Sequence, residues 1–388
     1  MSKLEKLIEE LCPNGVPFIE LSKMAEIGTG SSDRKDATES GKYPFYVRSK
    51  DILKINEYEY DETAIVIPGE GGIGEIFHYV EGKYALHQRA YRIHIFDNKL
   101  NTRYLYHYMF SLFKSFILKK AVSATVTSIR KPMIQDFPVA VPPIEVQQEI
   151  VRILDNFTEL TAELTAELTA ELTARKKQYE YYRNTLLNNA EVPKVKLKDI
   201  ATIIRGGNFQ KKDFVKQGKP CIHYGQMYTH FGIYANETIT YLNDEVFDKS
   251  KIAKTGDIIM AVTSENVEDV CSCVAWMGKD DIAVSGHTAI IQHNQNPKFL
   301  SYYFHSDMFF AQKKKIAHGT KVIEVTPSKL GDIEIMLPPL EEQNRIVSIL
   351  DRFDTLCNDL TQGLPAEIEA RKKQYEYYRD KLLTFKEL

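Results

Sequence analysis

A long amphipathic pattern runs through residues 145–187, where apolar residues recur at spacings of three and four, as on one face of a helix. The first members of the pattern are Ile150, Leu154, Phe157, Leu160 and Leu164. Two prolines stand just before it, and Glu145 and Glu149 lie in its first turns, where acidic residues complement the helix dipole. The pattern therefore predicts one continuous helix of roughly 65 Å.

The end of the chain repeats this element. ARKKQYEYYR occurs at residues 174–183 and again at 370–379, an offset of 196. The same offset relates VPPIEVQQEIVRILDNF at 141–157 to LPPLEEQNRIVSILDRF at 337–353. Two such helices most simply pack on each other, and each buried leucine contributes roughly 1.5–3 kcal/mol. The residues predicted to pack are Leu160, Leu164, Leu168, Leu172, Leu356, Leu360, Leu364 and Ile368.

Two irregular tracts lie within the matched helices. Residues 161–172 are three copies of TAEL, which consists mainly of strong helix formers. Each copy adds roughly 6 Å of helix, and its leucine drifts by about 40° around the axis. We interpret the tract as a spacer that sets helix length, with a plain solvated linker as the alternative. In the second helix, Gly363 and Pro365 predict a kink or an interruption.

The remaining segments read as strand-rich domains of mixed α/β character. Their beginnings correspond, since VPFIELSKMAEIGTG at 16–30 resembles VPKVKLKDIATIIRG at 192–206. Strands are predicted at 63–67, 84–95, 257–262 and 282–292, and aromatic helices at 103–118 and 298–310. The predicted class is α+β, with two mixed domains separated by two long helices in an internal repeat. The predicted domains are 1–141 (with a short N-terminal helix), 142–190 (central helix), 191–337 and 338–388 (C-terminal helix).

Composition narrows the class of protein without deciding it. The 388 residues are 43% hydrophobic, which suffices for packed cores. The net charge of -3 is not that of a strongly basic nucleic-acid binder. However, residues 15–141 hold 17 Lys and Arg against 15 Asp and Glu, and residues 191–337 hold 18 against 17. Five cysteines do not make a disulfide framework, and no signal peptide or membrane-length apolar run is present, so we expect a cytoplasmic protein.

Motifs for catalysis are weak. Gly69, Gly71 and Gly74 fit a dinucleotide-binding spacing, but the next residues alternate as in a strand, which favours a glycine-rich turn. No Walker A sequence occurs, and the Pro-Pro pairs lack the preceding Asn or Asp of an adenine methyltransferase. The acids Asp61 and Glu81 with Lys83 resemble a nuclease pattern that is common by chance, and the C-x-C at 271–273 has no second metal-ligating pair. We therefore predict neither a catalytic residue nor a metal site.

Over essentially its whole length the chain resembles the specificity (S) subunit of type I restriction-modification systems. The resemblance rests on the two helices introduced by Pro-Pro, on I-V-x-I-L-D, on the TAEL repeats of one branch, and on GTKVIEVTPSKLGDIEIMLPPLEEQ at 319–343. It implies a non-catalytic DNA-binding subunit that reads half of a split site with each variable domain, on a spacer of two antiparallel helices. Two modification subunits would supply S-adenosylmethionine and adenine methylation. Two restriction subunits would supply cleavage driven by ATP and Mg, and no cofactor is expected on this chain.

Loops at corresponding places in both halves are the candidates for DNA contact, because Arg and Lys suit guanine or phosphate and Asn and Gln suit adenine. The candidates are Ser31, Arg34, His87, Gln88, Arg89, Arg130, Asn208, Gln210, Lys211, Ser285, His287 and Lys321. Two other functions stay open. One is a nuclease or methyltransferase that acts alone through an unrecognised motif, and the other is a helical scaffold whose two lobes bind proteins.

Overall fold

The computed structural model describes residues 2–120 and 128–388. The chain forms two compact units. Unit 1 comprises Met1–Glu167 together with Ile368–Leu388, and unit 2 comprises Leu168–Glu367. Each unit thus combines one strand-rich segment with portions of the long helices.

Unit 1 is built on a six-stranded sheet packed against helices. Its helices are α1 (Lys3–Leu11), α2 (Thr102–Lys120), α3 (Lys131–Gln135), the first part of α4 (Ile144–Leu187) and, from the end of the chain, most of α11 (Leu364–Leu382). Its strands are β1 (Phe18–Glu20), β2 (Ala25–Thr29), β3 (Tyr43–Tyr46), β4 (Ile52–Ile55), β5 (Tyr60–Pro68), β6 (His78–Leu86), β7 (Ala90–Ile95) and β8 (Pro138–Ala140). The sheet order is β2-β7-β5-β6-β3-β4, in which only β3 and β6 pair in parallel, and β1 pairs with β8. Apolar residues of α2 and α4, such as Phe113 and Leu154, share one core with Ile65 and Ile93 of the sheet.

Unit 2 also packs strands against helices, but its larger strands form two five-stranded sheets instead of one sheet. Its strands are β9 (Lys194–Lys196), β10 (Ala201–Arg205), β11 (Phe214–Val215), β12 (Lys219–Ile222), β13 (Tyr234–Ala235), β14 (Thr240–Leu242), β15 (Lys251–Ala253), β16 (Ile258–Ala261), β17 (Thr263–Ser264), β18 (Cys273–Trp276), β19 (Ile282–Val284), β20 (Thr288–His293), β21 (Ile323–Glu324) and β22 (Glu334–Met336). Its helices, besides the second part of α4, are α5 (Leu197–Ile200), α6 (Asp244–Asp248), α7 (Pro297–Phe304), α8 (Asp307–Ile316), α9 (Pro327–Gly331), α10 (Leu340–Asn358) and the start of α11 (Leu364–Leu382). The two larger sheets run β10-β20-β16-β18-β13 and β11-β14-β12-β19-β15.

A buried glutamine fixes the start of the long helix in each unit. Gln147 of α4 donates to the carbonyls of Pro142 and Lys99 and accepts from the amide of Asn101, all within 2.8 Å. Gln343 of α10, at the offset of 196, makes the matching bonds to the carbonyl of Pro338, to Gln295 and from the amide of Asn296. Both glutamines are fully buried.

In each unit, an aspartate further along the long helix binds the neighbouring aromatic-rich helix, which is α2 in unit 1 and α7 in unit 2. Asp155 accepts from Nε of Arg103 and contacts His107, both on α2. Asp351 accepts from Lys298 and from the hydroxyl of Tyr302, both on α7. The I-L-D sequence therefore serves the same docking role in both units.

The long helices pair antiparallel inside each unit. In unit 1, Thr158 of α4 hydrogen-bonds Tyr375 of α11 at 2.9 Å, and the ring of Phe157 lies 6.2 Å from that of Tyr378. In unit 2, the hydroxyl of Tyr179 on α4 donates to Asp354 of α10, and the ring of Tyr182, further along α4, stacks on Phe353 at 5.4 Å. Residues with increasing numbers along α4 therefore contact residues with decreasing numbers on its partner helix, as expected of an antiparallel pair.

The helix predicted over 145–187 is confirmed as α4, and the predicted interruption of the second helix is also confirmed. The break precedes Pro365, which lies in the first turn of α11, where proline is tolerated. Asp359 forms the break by accepting hydrogen bonds from the amides of Thr361 and Gln362. A Cβ on Gly363 would lie 2.5 Å from the carbonyl oxygen of Thr355, so glycine permits this close approach.

Burial within the chain differs along the predicted leucine stripe. Leu168 and Leu364 are 9% and 7% exposed, whereas Leu160 and Leu360 are 60% and 80% exposed. The prediction that all eight residues pack is therefore wrong for Leu160 and Leu360. Leu160 lines an open groove between α4 and α11, and Leu360 lies in the break between α10 and α11. In the part of the chain that the structure describes, no helix has the length and apolar character needed to cross a membrane.

Candidate nucleic-acid interface

The turn between β6 and β7 is the centre of the candidate site in unit 1. Its backbone is held on three sides: the amide of His87 donates to the carbonyl of Tyr46, that of Gln88 to Ser32, and that of Gly69 to Arg89. Gly30 allows β2 to end here, since a Cβ at this position would lie 1.7 Å from the carbonyl oxygen of Leu86. Loops that follow β2, β3 and β5 consequently meet around this turn.

Three charged side chains from different loops meet at this turn. Nη1 of Arg48 lies 2.9 Å from Oε2 of Glu70, and Nη1 of Arg89 lies 3.4 Å from the same oxygen. Hydrogen bonding from Arg48, assisted by Arg89, lowers the pKa of Glu70, so this carboxylate is ionised at neutral pH. The three side chains are 40–58% exposed. They form a two-arginine clamp, which we define as Arg48, Glu70 and Arg89.

A pocket of about 280 Å³ adjoins the clamp. Its lining residues are Arg34, Val47, Arg48, Ser49, Glu70, Gly71 and His87. Burial lowers the pKa of His87, whose Nδ1 accepts a hydrogen bond from the amide of Arg89. At 2% exposure this candidate shapes the turn from inside instead of facing a ligand.

The other unit 1 candidates lie around the same turn. Ser31 is exposed, but its hydroxyl and amide both donate to Glu59, so its donors are already used. The side-chain amide of Gln88 donates to Asp33, at the edge of the loop that carries Arg34. Arg130 is exposed and follows Ile129, whose amide donates to the carbonyl of Gly69 beside the clamp. All six candidates of unit 1 therefore belong to one loop cluster.

Unit 2 has the same backbone arrangement around the turn between β19 and β20. The amide of Ser285 donates to Ile222, that of Val262 to His287, and that of Val325 to Val262. These bonds match those of His87, Gly69 and Ile129 in unit 1. Gly206 takes the place of Gly30 by strand register, and its Cβ would also lie too close to a carbonyl oxygen of the turn, at 2.0 Å from that of Ser285.

The side chains on this matching backbone are different in kind. By strand register, Tyr224, Thr263 and His287 occupy the positions of Arg48, Glu70 and Arg89. His287 hydrogen-bonds the hydroxyl of Thr263 at 3.1 Å, and its ring lies 4.9 Å from that of Tyr224. Unit 2 thus presents aromatic and hydroxyl groups where unit 1 presents three charges.

The remaining unit 2 candidates surround this cluster. Ser285 is 1% exposed and accepts from the amide of Tyr224, so it supports the loop from within. Asn208 and Lys211 are exposed on the loop after β10, where the backbone amide of Gln210 donates to Asp213. Exposed Lys321 precedes β21, which pairs with β17.

Sequence reasoning missed Arg48, Glu70, Tyr224 and Thr263. Arg48 and Tyr224 follow the two strands that pair in parallel with the strand before the turn. Candidates were chosen from loops at corresponding places in both halves, and the segments that hold Arg48 and Tyr224 were not recognised from the sequence as corresponding. Aligning the two halves strand by strand would have placed these residues at equivalent positions.

The weak catalytic motifs gain no support from the structure. The glycines at 69–74 are followed by β6 instead of a helix, and Gly71 and Gly74 have positive φ angles of 74° and 66°. Asp61, Glu81 and Lys83 lie exposed on the hairpin of β5 and β6, where Glu81 accepts from Tyr79 and Lys83 covers the ring of Tyr58. Within residues 2–120 and 128–388, no three His, Cys, Asp or Glu side chains are grouped to hold a metal ion.

Comparison with known proteins gives a consistent result. The model of the type I restriction modification DNA specificity domain matches residues 13–174 and again residues 189–370. A putative type I restriction enzyme specificity subunit of Haemophilus influenzae is 31% identical over 98% of this chain and 98% of that protein. The EcoR124I/EcoR124II specificity subunit of Escherichia coli is 33% identical over 74% of this chain and 72% of that protein.

Solved structures share the fold. A chain from a structure of the type I R-M system has a TM-score of 0.70 at 15% identity and covers 96% of this chain and 98% of its own length. The HsdS subunit from Thermoanaerobacter tengcongensis has a TM-score of 0.57 at 16% identity, with 96% of each chain covered. Two matches to the domain model and a relative aligned end to end place this chain in the family of type I restriction-modification DNA specificity subunits.

Proposed function

We propose that this subunit selects a bipartite DNA target, with one half-site read by each unit. The observation that carries the proposal is the pair of matching loop clusters, which use one backbone arrangement to present different side chains. Loops positioned by a rigid sheet are well suited to recognition, because their side chains can change without altering the scaffold. The exposed members, such as Arg89 and Lys211, supply donors for base edges and phosphates.

Catalysis belongs to partner subunits in this proposal. Two modification subunits supply S-adenosylmethionine and methylate adenine, and two restriction subunits supply cleavage with ATP and Mg, in the cytoplasm. An apolar groove in unit 1 supports docking of a partner on the helices. It lies between α4 and α11 and is lined by Phe157, Leu160, Thr161, Leu164, Arg371, Gln374, Tyr375 and Tyr378. The exposed side chains of Leu160 and Tyr378 in this groove are typical of a surface that a partner covers.

The proposal is tested by co-expressing the chain with its modification subunits and mapping N6-methyladenine in the host DNA. We expect a single motif of two short fixed sequences around a fixed gap. If a complex forms and methylates DNA without such a motif, the proposal is wrong. If the purified chain alone cleaves or methylates DNA, the function of a stand-alone enzyme replaces it. If a complex forms that neither binds nor methylates any duplex, the helical scaffold replaces it.

The TAEL tract sets the gap in this proposal. Residues 161–172 lie within the continuous helix α4. Deleting one copy, residues 169–172, shortens the helix by roughly 6 Å, or one to two base-pair steps. We expect a shorter gap in the methylated motif and unchanged half-site sequences. Replacing the same four residues by AAEA, which keeps the helix length, is the matched control and should leave the gap unchanged. A change in the half-site sequences would contradict the role of the tract.

A further inference from the structure

We propose that the two-arginine clamp reads a guanine in the half-site of unit 1, an assignment that rests on the proposed function. Both arginines use Nη1 to contact Glu70. Among the described residues, the Nη2 and Nε donors of Arg48 and Arg89 have no hydrogen-bond partner. Each guanidinium is therefore oriented by one corner, and its other donors belong to side chains that are 43% and 58% exposed.

The choice of a base over a phosphate follows from Glu70. An ionised carboxylate within 2.9 Å of one guanidinium and 3.4 Å of the other lowers the positive charge available to a phosphate. A phosphate must also approach that negative charge, whereas a neutral base edge does not. Glu70 thereby favours a neutral acceptor as the ligand of the clamp.

The choice of guanine follows from the donor pattern. A guanidinium offers donors and no acceptor, with two parallel N–H groups in a fixed fork. In the major groove, guanine presents two adjacent acceptors, O6 and N7. Adenine pairs one acceptor with a donor, and thymine presents one acceptor beside a methyl group. Only guanine accepts both bonds from one guanidinium.

Unit 2 provides the contrast. Tyr224, Thr263 and His287 occupy the equivalent positions, and none of them carries a guanidinium. The hydroxyl of Thr263 and the ring of His287 already hydrogen-bond each other at 3.1 Å. The guanine contact that the clamp makes is therefore specific to the half-site of unit 1.

The test compares Arg48→Lys and Arg89→Lys with wild type in the full complex with modification subunits. Lysine keeps the charge but loses the bidentate fork. We expect each lysine variant to relax methylation at a single guanine position of one half-site, by roughly 5- to 150-fold in discrimination. The gap and the other half-site should not change. Arg345→Lys, which alters an exposed arginine paired with Glu342 on α10, is the matched control and should leave the motif unchanged.

A base analogue makes the test independent of folding. Binding of the complex is measured on duplexes that carry guanine or 7-deazaguanine, which lacks the N7 acceptor, at the implicated position. The substitution should weaken binding of the wild-type complex at least about 5-fold, and it should weaken binding much less for a lysine variant that relaxes methylation at that position.

Three results would overturn the guanine assignment while leaving the proposed function intact. The first is a split motif in which no guanine position responds to the lysine substitutions. The second is that the lysine variants bind all DNA sequences equally more weakly. The third is that 7-deazaguanine weakens binding of wild type and variants equally. Equal weakening on all sequences would mark the clamp as a phosphate contact. The absence of any split motif for the wild-type complex would instead refute the proposed function.

Discussion

Replacing Gln147 by leucine should destabilise unit 1 more than any substitution of an exposed residue on α4. The change keeps the side chain's approximate size but removes one acceptor and one amide group with two donors. Three backbone groups lose their partner: the carbonyls of Pro142 and Lys99 and the amide of Asn101. An unsatisfied buried polar group costs roughly 1–3 kcal/mol. Only the bond to Pro142 is fully buried, so water restores part of the other two.

The expected net loss is about 3 kcal/mol. For a unit of this size, that loss corresponds to a fall in melting temperature of roughly 6–12 °C. Differential scanning calorimetry of the full chain measures it as a shift of the transition that belongs to unit 1. Hydrogen exchange at the amide of Asn101 assigns the transition, because this amide loses its acceptor in the variant.

The chain supplies its own controls. Gln148→Leu places the same substitution one residue later, at an exposed position of the same helix, and should change the melting temperature little. Gln343→Leu should destabilise unit 2 by less than Gln147→Leu destabilises unit 1. One partner of Gln343 is the side chain of Gln295, which can turn to water, instead of a backbone group. If Gln147→Leu melts within about 1 °C of Gln148→Leu, the buried hydrogen bonds do not carry the stability assigned to them.

Further outcomes follow from charge and burial. Hydrogen bonds from Arg152 and Lys3 lower the pKa of Glu149 from 4.5 to about 2, so its stabilisation is complete above pH 4.5 and is lost as the pH falls toward 2. The melting temperature of Glu149→Gln should therefore be lower than that of wild type at pH 7. The difference in melting temperature should shrink as the pH falls below 4.5. A difference that does not depend on pH would contradict the role of the ion pairs. Burial raises the pKa of Cys271 and Cys273 to about 12, so a thiol reagent at pH 8 should label neither until the chain unfolds, and rapid labelling of native protein would show that the region opens.

The helix α4 was placed because its apolar residues repeat at helical spacing over many positions, and the strand β5 was placed from an uninterrupted apolar run. The single strands predicted at 84–95 and 282–292 were wrong, because a turn divides each segment into two strands. The helix predicted at 298–310 is likewise divided, into α7 and α8. The break after α10 was also predictable, from a glycine and a proline within four residues. Short strands such as β13, with two residues, carry no period and were not predicted.

The candidate site was predicted only in part, for a different physical reason. His87 and Ser285 lie in matching turns, whereas the sequence predicted strands through 84–95 and 282–292, and the sequence does not tell that both side chains are buried. Arg48 and Glu70 meet because β3 ends beside Leu86 and β5 ends beside Ala90, on the two sides of one turn, and their separation of 22 residues has no period to reveal it. Ion pairs between loops depend on strand order, which local patterns do not specify.

The division of the chain has a consequence for synthesis. Unit 2 is contiguous, from Leu168 to Glu367, whereas unit 1 joins the first residues to the last. On the ribosome, the amino-terminal half emerges first, but it must wait for α11 before Tyr375 can meet Thr158 and Ser111 can bond Asp380. Unit 2 can close earlier, so the part of the protein made first is the part completed last. A premature stop near the end would spare unit 2 and leave unit 1 open to chaperones and proteases.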